Sequence, residues 1–197
     1  MKLLLFTFIL LPIVAVHSQP RSVSLHDELV RMRDRDQEIR NACTTGNADE
    51  IGKCILKMAD EVDRSNTKRL NEIFAAHGFP TVSLVGSDGV KAFILLMQHS
   101  GDIPLRKKSE PGMKKAFEAK VISPSEYTSF VDRLLVDQGE LQIYGSNFVA
   151  KEGKLVMSAT ADVKSLDKRR KKIGLPPIAE YIKMLKEHYK VEVVTPE

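Results

Sequence analysis

Residues 93–100 read Phe-Ile-Leu-Leu-Met-Gln-His-Ser, and with Val90 and Ala92 just before them they make a helix that is apolar on nearly every side. A helix with no polar stripe cannot lie on the surface, so it has to be a central element with others packed around it. The rest of the chain must therefore supply amphipathic elements to cover it. The run also ends abruptly in an amide and an imidazole, Gln98 and His99. Either these groups close a buried helix end with satisfied hydrogen bonds, or they face a working cleft.

The covering elements are legible from residue spacing. A first helix begins at Ser24, with Asp27 completing a near capping box, and carries Leu25, Leu29, Met32, Ile39 and Cys43 at helical intervals. Asp36 falls on that apolar stripe. After a turn at Thr44–Asn47, a second helix over about 49–77 carries Ile51, Ile55, Met58, Val62, Leu70 and Ile73, with Asn66 interrupting its stripe. Gly78 and Pro80 end it. A loop with Gly86 and Gly89 precedes the central helix, about 90–100. Leu105–Val121 is helical in pattern, and Pro111-Gly112 is expected to bend or split it. Ser123-Pro124-Ser125-Glu126 combines an N-cap serine, a proline at the first helical position and a glutamate three after the cap, which starts a helix running to Gly139.

Then the period changes. Leu141, Ile143 and Phe148, with Leu155–Met157 beyond a Glu152-Gly153 turn, predict two or three short strands. Two helices follow, over 162–173 and 177–188, and the tail 191–194 is a short strand or a fraying end. With no internal repeat and no low-complexity linker, the prediction is a mostly α fold. It is a single multi-helix domain over 19–197, with a small β-hairpin insertion near residues 140–158.

The first 18 residues stand apart. Lys2 is followed by 14 residues, Leu3–Val16, that are apolar but for Thr7, and Val16 and Ser18 stand at −3 and −1 of a cut before Gln19. The run is shorter than the roughly 20 residues of a spanning helix. It reads as a signal peptide removed on export, with retention as an anchor the alternative, and it places the chain in a secreted or periplasmic setting with no membrane span after cleavage. In that oxidising setting Cys43 and Cys54, eleven apart, read as one disulfide; the other reading is two free buried thiols.

Without residues 1–18 the chain carries 29 basic and 26 acidic residues, too even a balance to call for nucleic acid. The one basic run, Lys168-Arg-Arg-Lys-Lys172, reads as a solvated helix face, with a phosphate-binding patch as the sharper alternative. CxxC, HExxH and zinc-site spacings are missing, as are a glycine-rich phosphate loop and a dinucleotide fingerprint. No metal and no cofactor is expected.

One ordered set of short signatures spans the chain: Asp36-Gln37 with Arg40; Asn66 with Arg69-Leu70; His77-Gly78-Phe79-Pro80; Val85-Gly86; Gln98-His99; Asp132-Arg133; Gln142 with Tyr144-Gly145; and Asp167, Arg169-Arg170 and Gly174-Leu175-Pro176-Pro177, with Tyr181 beyond. In this the chain resembles a family of bacterial proteins known only as a domain of unknown function, over about residues 25–185. It departs from the family pattern at Phe79, where tryptophan is usual, and at Ser146-Asn147, where Thr-Gln is usual. The resemblance implies a fold and no established activity.

Polar groups that interrupt apolar stripes must meet one another or face a cleft, since an unpaired buried amide or carboxylate costs about 1–3 kcal/mol. The residues therefore predict one polar pocket gathering His99, Asp36, Asn66, Asp132, Arg133 and Gln142, with Gln98, Tyr144, Arg40 and Arg170 as further ligand-holding groups. His99 is the candidate general acid or base. Asp36 or Asp132 would orient it, and an arginine would hold an anionic group. Three functions fit this set. It is a hydrolase- or lyase-like enzyme for a small polar or anionic substrate, a non-catalytic module binding such a ligand, or a structural domain whose polar signatures are packing devices.

Overall fold

A computed structural model describes residues 23–43 and 48–195. The leader expected at 1–18 and the turn expected at Thr44–Asn47 lie outside the described residues. The elements run α1 (Val23–Ala42), α2 (Ala48–Met58), a widened π-type turn (Ala59–Asp63), α3 (Arg64–His77), α4 (Val82–His99), α5 (Ile103–Glu118) and α6 (Pro124–Asp137). The chain continues with β1 (Phe148–Lys151), β2 (Lys154–Met157), a short 3-10 turn (Val163–Ser165), α7 (Leu166–Ile173), α8 (Ile178–Tyr189) and β3 (Val193–Val194). The fold is mostly helical with one small sheet. No helix among the described residues is long and apolar enough to cross a membrane.

The apolar helix is indeed central. Ala92, Phe93 and Met97 are wholly buried and Leu96 nearly so, in a core that takes Leu25 and Leu29 from α1, Leu70 and Ile73 from α3, Leu105 and Met113 from α5, and Phe130 from α6. It begins earlier than its apolar run. Val82–Val85 form a helical turn, Gly86 breaks the geometry at φ 71°, ψ 170°, and helix resumes through Gly89 to His99. Glycine alone adopts that φ without strain.

Two sequence expectations change here. The second helix is one rod only in outline, because the π-type turn adds a residue to one of its coils and rotates everything after it. And α5 runs unbroken through Pro111 and Gly112. A proline inside a helix costs one hydrogen bond and some strain; the burial of Leu105, Met113 and Ala116 on the same helix offsets it.

The strongest local signal holds in full. The Ser123 hydroxyl accepts from the Glu126 N–H at 3.2 Å, while the Glu126 carboxylate accepts from the Ser123 N–H at 2.7 Å. β1 and β2 form the antiparallel hairpin, turned by Glu152 and Gly153 at φ 50° and 73°, the left-handed pair of a tight hairpin turn. β3 pairs in parallel with β2 and makes a three-stranded sheet of the order β1-β2-β3. Leu141 and Ile143, expected in a strand, precede it; only an isolated bridge, Gln142 to Thr160, marks that segment. Met157, Leu166, Leu185 and Val193 are buried at this end of the molecule.

Cys43, at the end of α1, is disulfide-bonded to Cys54 of α2, with Cα atoms 5.5 Å apart. Reducing this bridge is expected to lower the unfolding free energy by about 3 kcal/mol, the value of closing a loop of this length. Urea denaturation of the oxidised protein, the reduced protein and a Cys43→Ser/Cys54→Ser variant checks it; equal midpoints would assign the bridge no stabilising role.

Candidate functional site

The site is built from the places where apolar stripes are interrupted. Asp36 sits on the buried face of α1 and is wholly buried. Its carboxylate survives there because four groups serve it. It accepts from Gln37 Nε2 at 2.9 Å, from Arg40 Nε at 3.0 Å and Nη2 at 3.1 Å, and lies 2.9 Å from His99 Nδ1. Arg40, one turn along α1, also pairs with Asp63, the last residue of the π-type turn. The result is a continuous chain, His99–Asp36–Arg40–Asp63, that ties α1 to the end of α4 and to the π-type turn.

The electrostatics of its two carboxylates diverge. Burial drives the Asp36 pKa upward, but the hydrogen bonds from His99, Arg40 and Gln37 together outweigh it and hold the carboxyl well below the usual range. Burial likewise pushes Asp63 up, and there it prevails over the attraction of Arg40, with the Asp36 charge adding to the rise. Two carboxylates on one guanidinium are thus separated into a strong and a weak acid. Such a split is found at acid–base sites and also in buried structural ion-pair networks.

His99 completes the arrangement. A carboxylate beside Nδ1 holds the ring proton there and leaves the lone pair on Nε2. Nε2 makes no hydrogen bond with the described residues, and the side chain is 27% exposed. Around the neighbouring turn the Thr67 hydroxyl donates to the Asp63 carbonyl at 2.6 Å and lies 3.0 Å from the buried Ser100 hydroxyl. An open cleft of about 390 Å³ is lined by Asp63, Arg64, Thr67, Lys68, Gly101 and Asp102; it reaches the His99–Asp36–Arg40–Asp63 chain at Asp63, and His99 is not among its lining residues.

The residues expected around one pocket fall into two groups, with no hydrogen bond between them. The second is centred on Asp132 of α6, also wholly buried. Its carboxylate accepts from the backbone N–H groups of Ile143, Tyr144 and Ser146 at 2.8, 3.0 and 2.8 Å, and from the Ser146 hydroxyl at 2.7 Å. These bonds clamp the loop between α6 and β1. The other side of that loop is held by Arg169 on the Ile143 carbonyl (2.9 Å) and by Arg170 on the Tyr144 carbonyl (2.7 Å). Arg170 is itself buried; it donates to the Pro176 carbonyl at 2.8 Å and lies 5.2 Å from the Tyr181 ring centroid. Burial pulls its pKa down, and burial raises that of the Tyr144 phenol.

Gln142 is fully buried and its amide is satisfied at both ends. It donates to the Asn147 carbonyl, the Ser158 carbonyl and the Thr160 hydroxyl at 3.1, 2.8 and 3.1 Å, and accepts from the Asn147 N–H at 2.8 Å. Asn147 accepts from the Ser158 hydroxyl at 2.9 Å. This group holds backbone to backbone.

Three expected residues join neither group. Gln98 donates to the Glu126 carbonyl at 3.4 Å and bridges α4 to the start of α6. Arg133 is exposed and lies 3.4 Å from Asp137, pointing away from Asp132 as adjacent helical residues must. Asn66 lines a separate cavity of about 410 Å³ with Met32, Arg35 and Lys57. Asp63 is the residue that sequence reasoning missed. The π-type turn shifts its position relative to the apolar stripe of α2, away from where an unbroken 3.6 period would put it. A charged residue just ahead of the Asn66 interruption is the one signal that pointed to it.

Fold and cluster together define the class: a mostly helical domain with a three-stranded sheet, carrying a buried carboxylate between a histidine and an arginine. From residue 23 to residue 194 the sequence matches the family described as Family of unknown function (DUF6624), and the chain belongs to that family. No curated protein and no solved structure matches it.

Proposed function

We propose that this is an exported enzyme of hydrolytic or lyase type in which His99 transfers a proton to or from a small polar or anionic substrate. The observation that carries the reading is the 2.9 Å contact between His99 Nδ1 and the wholly buried Asp36, with the far ring nitrogen making no hydrogen bond among the described residues. A carboxylate fixed by Arg40 and Gln37 orients the ring without giving up its charge, the role an aspartate plays behind a catalytic histidine. Asp63, whose pKa burial pushes upward, stands as a second carboxyl on the same guanidinium. The cleft beside Asp63 carries Arg64 and Lys68 together with Asp63 and Asp102, a mixed lining that suits a small polar substrate as well as an anionic one. The paired cysteines support an oxidising compartment, secreted or periplasmic. Asp132, Gln142 and Arg170 serve as framework in this reading, since none of their buried polar atoms lacks a hydrogen-bond partner.

The test is a substrate screen of esters, phosphoesters and small glycosides with the oxidised protein. Turnover of a hit should fall by about 10²–10⁴ in His99→Gln while the melting temperature moves by no more than a few degrees. Full activity in that variant would refute the assignment. A compound that raises the melting temperature through His99 but is never turned over would instead favour the binding-module reading; at 100 times its dissociation constant it adds about 2.7 kcal/mol.

A further inference from the structure

At the other end of α4 lies a groove that the acid–base cluster does not use. It opens between the end of α3, the start of α4 and one face of α5, encloses about 440 Å³ and is lined mainly by apolar groups. That volume lies in the usual range for small-molecule pockets, about 300–1,000 Å³. Val90, in its wall, is nine residues before His99, so the two sites stand about 13 Å apart along the helix.

The groove has a sequence origin. Lys108, Pro111, Gly112, Lys115 and Ala119 recur three and four apart on α5 and so share one face. Between the two lysines that face carries only small or ring-closed residues, and the space a longer side chain would fill is left open. Gly112 is decisive: a Cβ there would stand 2.1 Å from Phe79 Cγ. Phe79 therefore lies directly against the α5 backbone and meets Phe93 edge-on, centroids 5.6 Å apart. With Phe74 and Val90 it makes an aromatic and aliphatic wall.

The mouth is different in kind. Lys108 and Lys115 are both exposed, two turns apart, and neither forms an ion pair among the described residues; the pair on this helix runs from Lys114 to Glu118. Their alkyl stems extend the apolar wall while the ammonium groups stay at the rim. Val82, at 45% exposure, is apolar surface left uncovered beside them.

We propose that this groove binds a linear amphiphile with a single carboxylate head, a fatty acid, with its chain on Phe74, Phe79 and Val90 and its carboxylate between Lys108 and Lys115. An apolar trough alone suits any hydrocarbon; two unpaired cations at its mouth select an anionic head. The occupant fits the apolar lining and the charge at the mouth together, and it is independent of what His99 does.

Calorimetric titration of the oxidised protein with dodecanoate, below its micelle concentration, tests this against dodecanol, which has the same chain and no charge. Dodecanoate should bind saturably, one per chain, and about tenfold more tightly than dodecanol, as two exposed charge contacts of this kind allow. Lys108→Gln/Lys115→Gln should abolish that preference while leaving dodecanol binding in place. Val82→Glu should weaken dodecanoate more than dodecanol. All three positions are exposed, so the variants should melt as the parent does. Absence of saturable binding, equal affinity for the two ligands, or a preference unchanged in the double lysine variant would each overturn the proposal.

Discussion

Replacing Asp132 by alanine is expected to remove about 4 kcal/mol of stability and to lower the melting temperature by roughly 10 °C. Three backbone N–H groups and the Ser146 hydroxyl lose their acceptor at once, because all four converge on this one carboxylate. A buried donor left unpaired costs about 1–3 kcal/mol, and water recovers part of that where the loop is half-exposed. The loss does not stop at the loop. Ile143 and Tyr144 also offer their carbonyls to Arg169 and Arg170, so freeing that backbone loosens α7 as well. Asp132→Asn should recover part of the stability, since one amide oxygen still accepts while the amide nitrogen faces a donor. Urea and thermal unfolding of the three proteins measure this. A loss under about 1.5 kcal/mol in the alanine variant would deny Asp132 the framework role.

Asp36→Asn is expected to cost about 3 kcal/mol at neutral pH, the scale for removing one partner from a buried ion pair. Arg40 keeps Asp63, but the half of its guanidinium that met Asp36 and the Nδ1 side of His99 face a neutral amide instead. The pH dependence has a definite sign. Because the folded pKa of Asp36 lies below the unfolded one, its ionised form stabilises the fold above about pH 4, and the contribution is lost as pH falls through the folded value. The gap between parent and variant should therefore be full from pH 5 to 7 and narrow below pH 4. Asp63 carries the opposite sign. Its raised pKa means that the fold disfavours its charge, so its contribution is present at low pH and lost as pH rises through the folded value. Asp63→Asn should then change stability at pH 7 by no more than about 1 kcal/mol. Equal, large losses in both variants would contradict the split between the two carboxylates.

Much of the fold was legible because its signals are local. The capping box at Ser123, the Glu152-Gly153 turn and the apolar run of α4 each act within a few residues, where spacing maps directly onto geometry. The misreadings share a different cause. Pro111 stays in a helix because burial elsewhere on α5 outweighs its local cost. The π-type turn adds one residue to a helical coil and leaves no mark in composition, yet it shifts Asp63 relative to the stripe of α2. Leu141 and Ile143 alternate like a strand, but their segment is fastened by Asp132 and Gln142 and leaves no ladder for a neighbour to join.

The sequence by itself determined which segments are helical, that α4 must be wrapped, that two cysteines stand at a bridging distance along the chain, and which polar residues had to find partners. It could not say which partners. Asp36 and His99 are 63 residues apart and meet because α1 lies along α4, while Asp132 draws in a loop only 11 to 14 residues on. Need for a partner is a property of one side chain and its stripe; the choice of partner depends on how whole helices dock, and that is decided by the packing of a shared core. The tertiary structure thus divided one predicted polar set into a fastening knot around Asp132, a part-buried chain from His99 through Asp36 and Arg40 to Asp63, and three residues that join neither.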